Sequence, residues 1–368
     1  MASIYFHIPF CKQRCSYCDF FSSTEIRQKE KYVDVICEEL IEREKYLQEP
    51  IETIYFGGGT PTLLSSADFG KIFQTLHGVF GESKNREITL ETNPDDLTPE
   101  YLNSIKHFPF NRFSLGIQSF DDRELKLLNR RHDAQSAVHA VELLQQEGYG
   151  NISIDLMYGL PGQNMKIWND TLCRAIDLRI QHISAYHLTY EEGTPLHKQM
   201  KTGSLTPVDE EMSIRLFEAL IDTLTAAGFE HYEISNFARS GFQSRHNASY
   251  WNGTHYLGIG ASAHSYNGLS RQWNKKSLMP DYRSLGCEIE ITDDKTAYND
   301  FVITRLRTMK GMDLNELTSL FGESRKTYCL QQAQKHIANN LLHYEDNCLR
   351  LKRKGIFISD GIMSDLME

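Results

Sequence analysis

Three thiols stand at Cys11, Cys15 and Cys18, spaced C-x3-C-x2-C within the stretch Cys11-Lys12-Gln13-Arg14-Cys15-Ser16-Tyr17-Cys18. Cysteines this close in sequence can all face one point, and the thiolate is the form that binds soft metals. A structural zinc ion takes four ligands, commonly as two separated Cys/His pairs. Here three thiols cluster, and a fourth donor, His7, lies on the preceding strand. An iron-sulfur cluster held by three cysteines leaves one iron open to a non-protein ligand. The bland alternative is core packing, which is how the unclustered Cys37, Cys173, Cys287, Cys329 and Cys348 read.

The elements that must present these thiols are legible around them. Ile4 to Ile8 is an apolar run stopped by Pro9, a short buried strand that puts the cysteines on a loop. Thr24 to Gln48 predicts a helix capped by Thr24, with Tyr32, Val33, Ile36, Leu40 and Ile41 at helical spacing. The strand Ile51 to Phe56 runs into Gly57-Gly58-Gly59-Thr60-Pro61, which is neither G-x-G-x-x-G nor a P-loop. Glycines after a strand let backbone groups approach a ligand, although an ordinary strand-to-helix turn uses them as well.

The alternation continues with helix 65–80, strand 87–91, helix 99–106, strand 112–118, helices 121–129 and 133–147, strand 152–157, helix 168–178 and strand 182–188. Six strands alternating with helices predict parallel βα units; eight would close a barrel, so an open, partial (β/α)6 barrel fits the count. Ligands of such folds sit at the C-terminal strand ends. Glu91, Gln118, Asp155 and the Tyr186-His187 pair fall there, beside the cysteine and glycine loops.

An amphipathic helix follows at 207–228, then a strand at 232–235. His246, with Tyr250 and Trp251, reads as part of a polar aromatic loop that holds a planar ring or a haem iron, or simply ties the loop down. Small residues from Gly258 to Ser265 suit backbone lying against a flat ligand. Residues 269–294 read as a linker. Beyond it come helices 297–309, 313–321 and 323–340, short strands at 341–344, 348–352 and 355–358, and a final helix to Leu366, the pattern of a winged-helix-like α+β domain.

The balance of 39 basic against 49 acidic side chains, net −10, argues against a nucleic-acid partner. The basic run Arg350 to Lys354 reads as a solvated hairpin tip. No signal peptide or apolar span is evident, so a cytoplasmic setting, where cysteines stay reduced and available to metal, is expected.

The cysteine stretch resembles the signature of the radical S-adenosylmethionine (SAM) superfamily. That resemblance implies a 4Fe-4S cluster on Cys11, Cys15 and Cys18, with SAM chelating the open iron. Glu91-Thr92-Asn93-Pro94, Gly116-Ile117-Gln118-Ser119-Phe120, Asn129-Arg130-Arg131-His132, Ser153-Ile154-Asp155-Leu156 and Tyr158-Gly159-Leu160-Pro161-Gly162-Gln163 are similar to motifs of its HemN/HemW family. By that resemblance the chain divides into a radical-SAM partial barrel with its extension at 1–268, the linker, and a C-terminal domain at 295–368. The resemblance also implies Tyr5, Tyr17, Gly58 and Glu91 as contacts of the cluster-bound SAM. Gly59, Thr60, Gln118, Arg130 and Asp155 match positions that contact a second SAM in the oxidase branch.

Two functions follow from the resemblance: anaerobic oxidative decarboxylation of coproporphyrinogen III, and haem chaperoning. The oxidase branch carries a fourth cysteine where this chain has Phe20, and a long N-terminal extension where ten residues precede Cys11. His246-Asn247-x-x-Tyr250-Trp251 matches a motif associated with haem binding in the chaperone branch, making His246 the candidate haem contact. The expected partners are therefore haem or a porphyrin, haem-recipient proteins and an electron donor for the cluster, with a homodimer left open.

Overall fold

The expected strands form close to their sequence limits: β1 (Ala2–Ile8), β2 (Ile51–Gly58), β3 (Glu87–Thr92), β4 (Arg112–Gln118), β5 (Ile152–Tyr158) and β6 (His182–His187). The computed structural model describes residues 1–82, 85–277 and 282–368. These six strands pair in parallel in chain order. The connecting helices are α1 (Lys29–Glu42), α2 (Ser66–Phe80), α3 (Pro99–Ile105), α4 (Asp122–Leu127), α5 (Ala134–Gln146) and α6 (Met165–Asp177).

Period-two alternation gives the sheet two unlike faces. Ile4, Phe6, Ile54, Phe56, Leu90, Phe113, Leu115, Ile154 and Ile183 are fully or nearly fully buried in the apolar core. The alternate residues are polar and bond across strands. Thr53 Oγ1 donates to Ser3 Oγ at 2.9 Å, Tyr55 to Glu91 at 2.7 Å, and Ser153 Oγ pairs with His182 Nδ1 at 2.7 Å. A sheet covered on both faces by helices would be apolar on both; this one encloses a polar lumen.

Helix α1 is shorter than its apolar spacing predicts. A 3-10 turn at Ile26–Gln28 precedes it, and Thr24 does not cap it. The reason is tertiary: Ser23 exchanges backbone hydrogen bonds with Pro9 and Cys11, at 2.7 and 2.8 Å, which holds the adjoining chain outside the helix.

After β6 come α7 (Pro195–Lys201), α8 (Glu210–Ala226), β7 (Glu230–Glu233), β8 (Asn236–Ala238) and α9 (Arg245–Trp251). β8 continues the sheet antiparallel to β6. At the other edge β9 (His255–Ile259) runs parallel to β1, followed by antiparallel β10 (His264–Tyr266), β11 (Ser270–Asn274) and β12 (Cys287–Ile291), making a sheet of twelve strands. The supposed linker therefore carries two strands, although residues 278–281 of it lie outside the described residues. Its polar composition hid them, because strands at a sheet edge bury little. The small residues at 258–265 serve chain packing: a Cβ on Gly258 would meet the His264 carbonyl oxygen at 2.1 Å.

Downstream lie α10 (Asp294–Leu306), β13 (Met312–Asp313), α11 (Leu314–Ala338), β14 (Leu342–Glu345), β15 (Cys348–Leu351), α12 (Arg353–Ile356) and α13 (Ser359–Leu366). α11 is broken at Gly322, as the two expected helices require. The small sheet has the order β13-β15-β14. The expected strand at 355–358 is instead helix α12 and the turn after it, with Gly355 so close to Leu341 that a Cβ would sit 2.2 Å from its carbonyl oxygen. Nor is the basic run a hairpin tip: the turn is made by Asp346 and Asn347, and Arg353 pairs with Asp222 of α8 at 2.6 Å. Of the unclustered cysteines, Cys37, Cys329 and Cys348 are buried as expected, whereas Cys173 and Cys287 are exposed.

Glu39, 3% exposed on α1, ties the β9–β11 extension to the barrel. Its carboxylate accepts from Gly260 N at 2.8 Å, Tyr282 OH at 2.6 Å and Asn274 Nδ2 at 2.7 Å. Glu39→Ala strands these donors in a dry site and should lower stability by about 3 kcal/mol. Denaturant unfolding checks this; an unchanged midpoint would contradict the assignment.

Candidate functional site

The cysteine loop leaves β1 and is held from a distance. Gln13 Nε2 donates to Asn129 O and Oδ1 at 3.0 and 2.8 Å, and Asn129 Nδ2 returns a bond to Arg14 O at 2.7 Å. Ser16 bonds Leu128 O and Leu127 O through its amide and hydroxyl, at 3.1 and 2.8 Å. Lys12 reaches Asp96 at 2.6 Å, and Arg131 grips Asp95 and Asp96. The loop is thus fixed by the segments that follow α4 and β3.

The thiols themselves receive donors. Thr60 Oγ1 points at Cys11 Sγ from 3.6 Å and Arg130 Nη1 at Cys15 Sγ from 3.2 Å. Burial raises the Cys11 thiol and pushes Cys18 up to about 11, so loading with metal must displace protons. Among the described residues no group of three His, Cys, Asp or Glu side chains is drawn together as a single ion requires. A cubane cluster spreads its thiolates over separate irons and makes no such demand.

Glu91 lies at the end of β3, its two oxygens taken by Tyr55 OH at 2.7 Å and Gly58 N at 3.1 Å. Gly58 has φ +105°, and a Cβ there would collide with the His7 ring at 2.6 Å; a Cβ on Gly57 would press on Glu91 itself. The glycine run thus lets the turn close over Glu91 and β1. Burial, with Asp155 adding, raises Glu91 to about 7, and burial raises Asp155 to about 6. Gln118 adopts φ 70° where the β4–β5 register slips, a strained backbone that turns its side chain at the strand end. Arg130 donates to Asn93 Oδ1 at 2.6 Å and to Gly116 O, and its buried Nε has no partner among the described residues.

These groups surround one cavity of about 570 Å³. Cys11, Cys15, Cys18, Tyr17, Gly58, Gly59, Thr60, Glu91, Gln118, Arg130 and Asp155 all line it. Two expected residues do not. Tyr5 is on the lumen wall, behind the cavity, its hydroxyl 3.2 Å from His7 Nδ1 and its ring 6.1 Å from that of Tyr55. His246 is not in a loop but on α9, 1% exposed, with Nδ1 at 2.8 Å from Thr53 and Nε2 at 3.0 Å from Tyr250. With both nitrogens engaged and its ring stacked on Tyr55 at 4.8 Å, it plugs the lumen. Its neighbour Asn247 does line the cavity. The sequence reading missed Tyr55, Asn93 and Asp96. Asn93 and Asp96 follow Glu91 closely, and the pairing of inward positions on adjacent strands was the available signal for Tyr55.

Known proteins resemble this chain along its length. The Radical SAM superfamily matches residues 5–172 and the HemN C-terminal domain residues 292–358. "Heme chaperone HemW" of Lactococcus lactis is 30% identical over 99% of this chain and 97% of the relative. "Heme chaperone HemW" of Bacillus subtilis is 37% identical over 74% of this chain and 73% of its own. The structure of the coproporphyrinogen III oxidase HemN from Escherichia coli superposes with a TM-score of 0.86 at 22% identity, covering 100% of this chain and 90% of that one. It shares the fold.

The raised Glu91 carboxyl has a consequence for stability. The folded chain keeps its proton up to about pH 7, whereas the unfolded chain releases it near 4.5. Stability from this group is therefore full at low pH and falls as pH rises between those values. Glu91→Gln should remove that fall, gaining about 3 kcal/mol relative to wild type between acid and mildly alkaline buffer. Urea midpoints at both pH values report it, and parallel pH profiles for the two proteins would refute it.

Proposed function

The chain belongs to the HemN/HemW family of the radical SAM superfamily, and from that membership we propose that it is a haem chaperone, binding haem and passing it to recipient proteins. The observation that carries the reading is likeness, from end to end in both chains, to a protein named a heme chaperone. The site's chemistry supports the accompanying cofactors. Three free thiols line a cavity beside a buried carboxyl and a guanidinium with an unpaired nitrogen, a donor set that fits a 4Fe-4S cluster and an amino-acid ligand.

In this reading Cys11, Cys15 and Cys18 hold three irons. Glu91 meets the ammonium of SAM: it titrates near neutrality when empty, and an entering cation drives it to the carboxylate. Arg130 is placed for the SAM carboxylate, with Gly58, Gly59, Thr60, Gln118 and Asp155 as the remaining cradle. The cluster, when bound, supplies an electron and an open coordination position. Thr60 and Arg130, which donate toward the thiols, tune it. An electron donor and recipient proteins are the implied partners. Tyr5 and His246 support the lumen wall behind this cradle.

Anaerobic reconstitution followed by two incubations decides the matter. With haem alone the protein is expected to retain the pigment through gel filtration. With coproporphyrinogen, SAM and a reductant it is expected to give no decarboxylated product. Turnover of the porphyrinogen, or haem that washes away, would overturn the reading. Cys15→Ala is expected to lose cluster absorbance entirely.

A further inference from the structure

Beneath the cavity the lumen holds a cation, Arg112, that none of the assignments above uses. Phe113, Leu115 and Ile117 of β4 lie in the apolar core, so Arg112, Ser114 and Gly116 face the lumen. Ser114 pairs in register with Glu91 and lies 3.5 Å from Asp155. Arg112 therefore starts one layer, about 7 Å of strand, below that level. It is 1% exposed and is not part of the cavity lining. Its Nε and Nη1 have no partner among the described residues, and neither has Thr89 Oγ1, opposite it on β3.

Few neighbours can answer that charge. His246 of α9 and His182 of β6 are held neutral, each by burial first and then by Arg112. Burial keeps the hydroxyls of Tyr5, Tyr55, Tyr186, Tyr232 and Tyr250 protonated. Glu87 of β3 is taken by the amides of Arg245 and His246, at 3.1 and 2.9 Å. That leaves Glu91 and Asp155. Burial raises both; hydrogen bonds from Tyr55 and Gly58 draw Glu91 back, those of Ser184 and Ser114 draw Asp155 back, and Arg112 draws on both. Arg130 adds to this at Asp155, from the cavity wall.

We propose that Arg112 is a positioning residue of the cofactor site: set beneath Glu91 and Asp155, its charge readies both carboxyls to meet the cationic groups of SAM, which it does not touch. The inference rests on the SAM assignment and deepens it. SAM carries an ammonium and a sulfonium, while two buried carboxylates side by side repel each other. A guanidinium fixed below them offsets that repulsion, and because it makes no direct ion pair it leaves their remaining lone pairs to the ligand. As SAM enters, the proton on Glu91 leaves for solvent, and Arg112 eases that loss.

Two measurements test this. Urea midpoints against pH, compared between wild type and Glu91→Gln and again between Arg112→Gln and the double variant, isolate the titration of Glu91. The difference is expected to level off at about pH 7 in wild type and about one pH unit higher without the Arg112 charge, while Arg112→Lys, which keeps the charge, follows wild type. An unmoved end point in folded Arg112→Gln overturns the proposal; where that variant does not fold, Arg112→Met replaces it with the same expectation. The second measurement is equilibrium dialysis of SAM against anaerobically reconstituted protein, with cluster absorbance equal to wild type as the control for folding. Arg112→Gln is expected to bind SAM about tenfold more weakly at about pH 6, the deficit closing as pH rises, and Arg112→Lys to bind as wild type does. A deficit equal at every pH marks a merely structural role and overturns the proposal, leaving the SAM assignment standing. Wild type that holds no SAM overturns that assignment, and the role of Arg112 in it, whatever the urea profiles show.

Discussion

Carrying three thiols to one region requires irregular backbone, and irregular backbone must be held by something else. Between Cys11 and Cys18 the chain makes little ladder of its own; a turn from Cys18 N to Cys15 O spans 3.4 Å. Ordering each such residue costs about 1–2 kcal/mol. The compensation comes mainly from Leu127 to Arg131, which bond the backbone or side chains of Gln13, Arg14 and Ser16. Asn129 does this from a left-handed conformation at φ 57°, which Asn tolerates better than most residues. The same short segment delivers Arg130 to Cys15 and to the cavity. Support and site are therefore one structure, and the thiol loop cannot be displaced without displacing the cation beside it.

The second constraint is the polar lumen. Placing Glu, Asp, Arg, His, Ser and Thr on the inner face of a parallel sheet obliges each to find a partner. Most do so with a neighbouring strand at the same level, as Ser114 does with Asp155 at 3.5 Å and Thr53 with Ser3. Arg112 Nε and Nη1 and Thr89 Oγ1 are left over, buried without partners among the described residues. Atoms in that position bind water or ligand. An apolar interior would pack more tightly but would leave a buried carboxyl or guanidinium without hydrogen-bond partners. The polar face thus trades packing for chemistry.

What the sequence discloses follows from how local each signal is. The apolar strands, the C-x3-C-x2-C spacing and the glycine turn are short-range patterns; they place the barrel, and all the site candidates they single out except Tyr5 and His246 line its cavity. The failures are positions whose conformation is set by distant contacts. Thr24 has a capping side chain, yet Ser23 is bonded to Pro9 and Cys11. Residues 270–274 read Ser-Arg-Gln-Trp-Asn and form a strand because β10 and β12 flank them. Gly355 belongs to a strand-like stretch but sits against Leu341, where the chain turns helical.

His246 shows that the residue types of a motif do not fix its local conformation. Its pattern of polar and aromatic residues fits a ligand-binding loop, but the spacing His246-x3-Tyr250 is also one helical turn, and helix is what forms. Helix α9 then packs against β1 and β2 from inside the lumen, Ser249 bonded to Ser3 at 3.1 Å and His246 to Thr53. The His246 ring stacks on Tyr55, and the Tyr55 hydroxyl holds Glu91 at 2.7 Å. A buried neutral imidazole, its pKa lowered to about 3 by burial and by the nearby Arg112 charge, is suited to that role because it adds no charge beneath the carboxyl. The motif thus reaches the cavity twice, through Asn247 in its lining and through the His246 ring beneath Tyr55.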